Sequence, residues 1–143
     1  MKRAVVWGAA GIAALLAVLQ FFPAERTNPP VEWDVEAPDQ VRTILRRACY
    51  DCHSHETHWP WYSRVAPLSW WIVEHVEHGR SDMNFSRWPT FDFGAQEYVL
   101  RSIEVQIEKN EMPLPSYLIL HPEARLTEED RRTLLEWAGD FSR

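Results

Sequence analysis

Two cysteines and a histidine, spaced as C-x-x-C-H over residues 49–53, are the side chains of this sequence best placed to do chemistry together. Near the end of a helix, thiols three positions apart lie on one side, where each can form a thioether with a haem vinyl group. His53 is then carried under the iron and offers a neutral imidazole nitrogen. The spacing predicts one haem c per chain, attached through Cys49 and Cys52, with His53 as the proximal ligand.

A redox dithiol and a zinc ion are the two other sites that this cluster could form. A thioredoxin-like dithiol expects strands alternating with helices, which this helical chain does not provide. Zinc could bind both cysteines together with two of His53, His55 and His58. Zinc-finger ligand pairs are usually separated by about a dozen residues, however, whereas His53 directly follows Cys52. The spacing favours haem and leaves His55 and His58 as surface residues beside the haem edge.

A six-coordinate iron needs a second axial ligand, and Met112 is the best candidate. It lies 59 residues after His53, in a segment that prolines at 113 and 115 stiffen. A His/Met pair is a ligand set of cytochromes c and raises the reduction potential. Met83 is the alternative methionine, and His75 or His78 could give a bis-histidine iron. Each of these side chains could instead be an ordinary core or surface residue.

Length and charge limit the classes of protein to which the chain can belong. The 143 residues include 15 basic and 21 acidic side chains, 8 Trp and only 2 Cys. This length allows one compact domain and an appendage. A net charge of −6 argues against nucleic-acid binding, which needs clustered Lys and Arg facing phosphates. Two cysteines cannot supply a disulfide framework or four zinc thiolates, so they act as one local unit.

The N-terminus carries a long apolar stretch. Lys2 and Arg3 precede residues 4–22, in which Gln20 is the only strongly polar side chain. As a helix, this stretch just reaches the roughly 30 Å thickness of a bilayer's hydrocarbon core. No small-x-small cleavage site follows it. It predicts an uncleaved anchor over residues 1–25, with the basic end in the cytoplasm and the remainder exported across the inner membrane to the bacterial periplasm.

The rest of the chain is expected to form a linker over residues 26–37 and one all-α domain over 38–143. Prolines at 29 and 30 favour an extended linker, and nothing after it has the alternating pattern of a strand. Four helices are predicted. The first can start at Pro38 and has both cysteines on its apolar face, and the second extends from Leu68 or Ser69 to His78 and is closed by Gly79. The third covers residues 95–110, with Val99, Ile103 and Ile107 inside, and the fourth is capped by Thr127 and has on its apolar side Leu134, Leu135, Trp137, Ala138 and Phe141.

Aromatic residues are concentrated in the middle of the sequence: Trp59, Trp61, Tyr62, Trp70, Trp71, Phe85, Trp88, Phe91 and Phe93. A porphyrin needs flat apolar walls that exclude water, so we expect these rings to surround the haem. Arg64 and Arg80 are candidates to neutralise the propionates, although a solvated surface is the commoner place for an arginine.

A series of short motifs lies within residues 49–127, and the resemblance that they carry covers nearly all of residues 38–141. They are CYDCHS at 49–54, WPWY at 59–62, APLSWW at 66–71, GR at 79–80, NFSRW at 84–88, EMP at 111–113, HPEA at 121–124 and LT at 126–127. In these motifs the chain resembles the small bacterial haem-binding domain family. The resemblance implies a cytochrome-c-like helical domain with Cys49 and Cys52 as attachment points and His53 as an axial ligand. Family members often carry an aliphatic residue where this chain has Met83, which favours Met112.

These observations predict a membrane-anchored monohaem c-type cytochrome that passes single electrons between redox proteins or membrane respiratory complexes and does no bond chemistry of its own. Without Lys2 and Arg3 the exported part carries 13 basic and 21 acidic residues, a net of −8, which favours partners with basic docking faces. Two alternatives stay open. An iron without the Met112 thioether could serve a peroxidase or a gas or redox sensor, with His55, His58 or His75 as acid-base groups. The second alternative is an accessory subunit of a larger complex, in which the haem is mainly structural.

Overall fold

The protein is all-helical in the computed structural model, which describes residues 2–88 and 93–140. Its helices over those residues are α1 (Lys2–Leu19), α2 (Asp39–Ala48), α3 (Tyr50–His53), α4 (Leu68–Asp82), α5 (Phe93–Glu108), α6 (Pro115–Leu118) and α7 (Glu128–Asp140). Short 3₁₀ turns occupy Trp61–Arg64 and Pro122–Ala124. This part of the chain has no strand and one isolated bridge, between Trp33 and Arg87, so the predicted all-α class is confirmed.

Helix α1 contains most of the apolar N-terminal stretch. None of its 18 residues is buried by the rest of the protein, and its length and composition would allow it to cross a membrane. Just beyond it, the Gln20 side chain pairs with the backbone of Ala66: Nε2 donates to the carbonyl at 3.0 Å and Oε1 accepts the amide at 3.0 Å. The end of the apolar stretch is therefore bonded to the domain.

Residues 26–37 form no helix and one bridge, at Trp33, and they lie against the domain. Asn28 Nδ2 donates to the carbonyl of Thr57 at 2.9 Å, and His55 Nδ1 donates to the carbonyl of Pro30 at 2.8 Å. Val35 is buried in the core at 2% exposure. This segment consequently contributes to the packed structure and is more than a spacer between α1 and α2.

The two cysteines lie at a junction between helices, so the prediction of a single helix through both is wrong. Helix α2 begins after Pro38, and Cys49 leaves helical geometry with φ −126° and ψ −34°. The bend turns Tyr50 into the core, where its ring stacks on Phe85 with centroids 5.0 Å apart. Burial of that aromatic pair is the physical reason for the break.

Helix α4 continues to Asp82, so the prediction that Gly79 closes it is wrong. No described glycine has a positive φ. A Cβ at position 79 would lie 2.6 Å from the carbonyl oxygen of Cys52 and 3.2 Å from the Cys52 Cβ. Gly79 is therefore required because α4 passes directly over α3, where any side chain would separate the two helices.

Helices α5 and α7 pack together and close the core on the other side. Val99, Ile103 and Ile107 are buried along α5, as predicted, and Leu134, Trp137 and Ala138 are the buried residues of α7. Thr127 caps α7 as predicted: its Oγ1 accepts the Asp130 amide at 3.1 Å, while the Asp130 carboxylate accepts the Thr127 amide at 2.8 Å. Phe91 and Phe141 lie outside the described residues.

Replacing Gly79 by alanine should lower the free energy of unfolding by about 1–3 kcal/mol, because the new methyl group would overlap a backbone carbonyl that cannot rotate away. Denaturant titration of the full chain in detergent, followed by circular dichroism, measures the loss.

Gly139→Ala is the matched control. Its Cβ would lie 3.1 Å from the carboxylate end of the Glu104 side chain, which can shift more easily than a backbone carbonyl, and alanine is the better helix former. Equal unfolding free energies for the two variants would show that the α3–α4 contact is not as tight as described.

Candidate functional site

A groove in the middle of the domain brings together all four residues predicted for the site. Its larger part has a volume of about 230 Å³ and is lined by Cys49, His53 and Met112. The adjoining part, of about 130 Å³, is lined by the same three residues and by Cys52. We call these two parts the central groove. Its remaining walls come mainly from apolar side chains: Leu45, Ala48, Phe85, Val99, Ile103, Ile107, Leu114, Leu126 and Leu134.

His53 is held in one orientation and one tautomer. Its Nδ1 lies 2.8 Å from the carbonyl oxygen of Gly79 and 3.3 Å from that of Met83. Because carbonyl oxygens only accept hydrogen bonds, Nδ1 carries the proton and Nε2 keeps a free lone pair. Burial lowers the pKa of His53, which keeps the ring neutral. A backbone carbonyl on one ring nitrogen is the usual support of an imidazole that binds a metal through the other.

Both cysteines are free thiols at the groove. Burial is the main cause that raises the pKa of Cys49 to about 12 and that of Cys52 to about 11. Reactive dithiols have thiol pKa values below the ordinary range, because a positive charge or a helix N-terminus stabilises the thiolate. These two thiols are protonated at neutral pH, so the site lacks the electrostatics of a redox dithiol.

Met112 reaches the groove from the loop after α5. Asn110, with φ 58°, reverses the chain, and the amides of Glu111 and Met112 both bond to the carbonyl of Gln106, at 3.0 and 3.4 Å. The Met112 side chain is half-buried and borders both parts of the groove. The structure thus brings a thioether from a distant segment to the cavity that His53 lines.

The alternative ligands also border the central groove. Met83 lines its larger part, but it packs on the core and its carbonyl lies on the Nδ1 side of His53. His75 and His78 border the smaller part. The His75 Nδ1 donates to the Trp71 carbonyl at 2.8 Å, and His78 is exposed. Met112 differs from the other three candidates because it lies neither in α4 nor directly after it.

His55 is buried, so its prediction as a surface residue is wrong. Its Nδ1 donates to the Pro30 carbonyl, and its Nε2 accepts from Asn84 Nδ2 at 2.8 Å. With both ring nitrogens bonded, His55 has none left for zinc. His58 is exposed as predicted, 3.4 Å from Asp51. Across residues 2–88 and 93–140, no group of three or more His, Cys, Asp or Glu side chains is arranged to hold a metal ion.

The tryptophans do not line the central groove, contrary to the sequence prediction. Trp88 is buried between Phe85 and Trp137, at centroid distances of 6.1 and 6.4 Å. Trp59, Trp71 and Tyr62 line an apolar cavity of about 360 Å³ that adjoins the smaller part of the central groove, because Cys52, His75, Leu114 and Tyr117 border both. Trp61, Trp70 and Phe93 are exposed. Of the predicted aromatic wall, Phe85 alone borders the central groove among the described residues.

Arg80 holds the segments around α3 together. Its Nε donates to the Ser54 carbonyl at 2.7 Å, its Nη1 to the Thr27 carbonyl at 2.9 Å and its Nη2 to Thr57 Oγ1 at 2.9 Å. The guanidinium therefore ties α4 to the linker and to the loop after His53. Most of the Arg80 donors are used in this way, and Arg64 is exposed, so the role of either arginine toward a propionate stays a prediction.

Asp51 and Tyr117 support the site and were missed by sequence reasoning. Tyr117 Oη donates to Asp51 Oδ2 at 2.7 Å, while Asp51 Oδ1 accepts the His58 amide at 2.9 Å. Burial, followed by the bond to Asp51, raises the pKa of Tyr117. This bond ties α6, and with it the loop that carries Met112, to the turn between the cysteines. Asp51 occupies a variable position of the C-x-x-C-H motif, so the motif itself did not predict this bond.

Comparison with known proteins identifies the family. The sequence model of the haem-binding domain family matches residues 14–140. No curated protein and no solved structure matches the chain. The matched range contains every residue of the central groove, and the groove offers two thiols, an imidazole with a free Nε2 and a thioether, a donor set suited to haem iron. The chain belongs to the haem-binding domain family.

Proposed function

We propose that this protein is a membrane-anchored monohaem c-type cytochrome that transfers single electrons between redox proteins or respiratory complexes at the periplasmic face of a bacterial inner membrane. The observation that carries the proposal is the central groove, where Cys49 and Cys52 accompany an imidazole whose Nδ1 is fixed by Gly79. A bound haem would supply a one-electron change of the iron.

Each residue of the groove has a part in holding such a group. Cys49 and Cys52 would form the two thioethers, and His53 would present the Nε2 lone pair that its bond to Gly79 leaves free. Met112 would supply the second axial ligand. Apolar residues of α2, α5 and α7 would exclude water, and a dry environment of this kind is one of the means by which a protein sets a haem's potential.

The arrangement supports electron transfer better than catalysis. A haem peroxidase needs an open axial position and an acid-base group beside it. His55 is fully bonded within the core, and His58 does not border the central groove. His75 borders only its smaller part. Peroxidase or sensor function would therefore require that Met112 not bind the iron, so that a coordination position stays open.

Helix α1 is the proposed anchor. Lys2 and Arg3 stand at its start, and in membrane proteins such residues favour the cytoplasmic side. The chain then continues into the domain on the other side of the membrane. In bacteria this is the compartment in which haem is attached to C-x-x-C-H motifs, so the proposed orientation and the proposed cofactor agree.

Covalent haem is tested first. The full chain, co-expressed with a haem attachment system, should gain the mass of one haem and give an alkaline pyridine spectrum typical of two thioethers. Cys49→Ala or Cys52→Ala should each shift that spectrum to longer wavelength, because one vinyl group stays unreacted, and the double variant should lose covalent haem. Expression without the attachment system is the control. A colourless product with the mass of the translated chain would overturn the proposal.

The second ligand is tested with paired methionine variants. Thioether-ligated ferric haem has a weak long-wavelength charge-transfer band, which we expect in the native protein and in Met83→Ala but not in Met112→Ala. Met112→Ala should also bind carbon monoxide when reduced, because an axial position is vacated. Rapid binding of carbon monoxide or cyanide by the native protein, together with peroxidase activity, would instead support the catalytic or sensory alternative.

The acidic charge of the exported part, a net of −8, should make electron transfer depend on ionic strength. Stopped-flow oxidation of the reduced protein by a cationic cobalt phenanthroline complex should slow as salt is added, because attraction is screened. Oxidation by anionic ferricyanide should accelerate. Rates that do not change with salt for either oxidant would show that charge does not steer partners to this domain.

A further inference from the structure

The end of the apolar N-terminal stretch is bonded to one small region of the domain. The Gln20 amide pairs with both backbone groups of Ala66, at 3.0 Å each. Trp70 Nε1 donates to the Phe22 carbonyl at 2.7 Å, and Arg26 Nη1 donates to the Ser63 carbonyl at 3.1 Å. These bonds fix the 3₁₀ turn Trp61–Arg64 and the start of α4 beside the last residues of the anchor.

Large apolar side chains are exposed in this region. Trp61, Val65, Leu68, Trp70 and Trp71 all lie open on the surface, with Trp61 the most exposed at 77%. The exposed Ile119 and Leu120 border the same cavity as Leu68 and Trp71 and extend the surface. We call these seven residues the apolar patch. Four of the seven, Leu68, Trp71, Ile119 and Leu120, border one cavity, and clustered exposed apolar side chains mark an interaction site.

The segment that carries five of the seven patch residues differs in charge from the rest of the protein. Although the chain has 21 acidic residues, residues 57–73 contain none, and the exposed Arg64 lies among them. The exposed Glu74 and Glu123 flank the patch. Anionic lipid headgroups would repel residues 57–73 less than the rest of this acidic domain. Tryptophan is also the side chain most typical of the membrane–water boundary, where its ring contacts lipid and its N–H stays hydrated or bonded.

The length of α1 determines the depth at which the patch lies. At 1.5 Å per residue, a helix of 18 residues spans about 27 Å, which is close to the thickness of the hydrocarbon core. If α1 crosses the bilayer, Leu19 ends at the boundary with water. Ala66 and Trp70, which are bonded to Gln20 and Phe22, must then lie within a few ångströms of that boundary.

We propose that the apolar patch lies in the headgroup region of the same bilayer that α1 crosses, so that the domain is held against the membrane in one orientation. The inference rests on the proposed anchor and goes beyond it, because an anchor alone would allow the domain to tumble. Gln20, the single strongly polar residue of the apolar stretch, makes two of the four hydrogen bonds that hold the domain at a fixed angle to the anchor.

Photolabelling by lipid tests the proposal on the full, haem-loaded chain. The protein is reconstituted into vesicles of phosphatidylcholine and phosphatidylglycerol that contain a phosphatidylcholine with a diazirine close to its headgroup. After illumination, labelled peptides are mapped by mass spectrometry. We expect label on α1 and on the apolar patch. Trp33 and Phe93 are also exposed, at 60% and 70%, and should remain unlabelled as internal controls.

Gln20→Leu tests this connection between the anchor and the domain. The variant leaves α1 unchanged and the end of the apolar stretch apolar, so labelling of α1 should be unchanged. Labelling of the patch should fall, because two of the four bonds that hold the domain to the anchor are lost. Gln40→Leu is the matched control, since Gln40 is an exposed glutamine of α2 whose side chain makes only a 3.5 Å contact with Thr133. It should label like the native protein.

The outcomes separate this inference from the proposed function. Label on α1 but not on the patch would overturn the inference and leave the anchor in place. Absence of label from α1 as well would overturn the anchor itself. A separate chemical cross-linking experiment in the same vesicles that joined patch residues of two copies of the chain, with no lipid label on the patch, would show that the patch is a protein interface and would also overturn the inference.

Discussion

The close contact between α4 and the turn that ends at His53 is the constraint on which the rest of the site depends. The backbone of Gly79 lies against the Cys52 carbonyl, at a separation that leaves no room for a side chain. This approach brings the Gly79 carbonyl to Nδ1 of His53, and that bond in turn selects the tautomer with a free Nε2. The absence of a side chain at position 79 therefore determines which ring nitrogen of His53 is free to bind a metal.

Polar side chains maintain this contact from outside the groove. Arg80 joins α4 to the linker and to the loop after His53, and Asp51 joins the turn between the cysteines to Tyr117. The groove itself is lined mainly by apolar residues of α2, α5 and α7. Hydrogen bonds thus position the segments, while the cavity keeps the low polarity that suits a haem. Asp51, which takes part in this positioning, is also one of the acidic residues that make the net charge of the chain negative.

Local patterns in the sequence predicted the local features of the fold. The periodic stripe of Val99, Ile103 and Ile107 gave α5, and Thr127 with its acidic neighbours gave the cap of α7. Features that depend on tertiary packing could not be found in this way. The bend at Cys49 follows from the stacking of Tyr50 on Phe85. His55 is buried because its ring bonds to Pro30 and Asn84. Glycine is needed at position 79 because Cys52, 27 residues earlier in the chain, lies against it. Composition alone could not tell which tryptophans lie in the core and which lie on the surface.

The close approach of α4 at Gly79 also bears on how the proposed haem would be attached. Cys49 and Cys52 are only partly exposed, and burial raises the pKa of both thiols, so the folded chain presents them poorly as nucleophiles. If an attachment system adds the haem, the C-x-x-C-H segment is most accessible to it before α4 packs on Cys52.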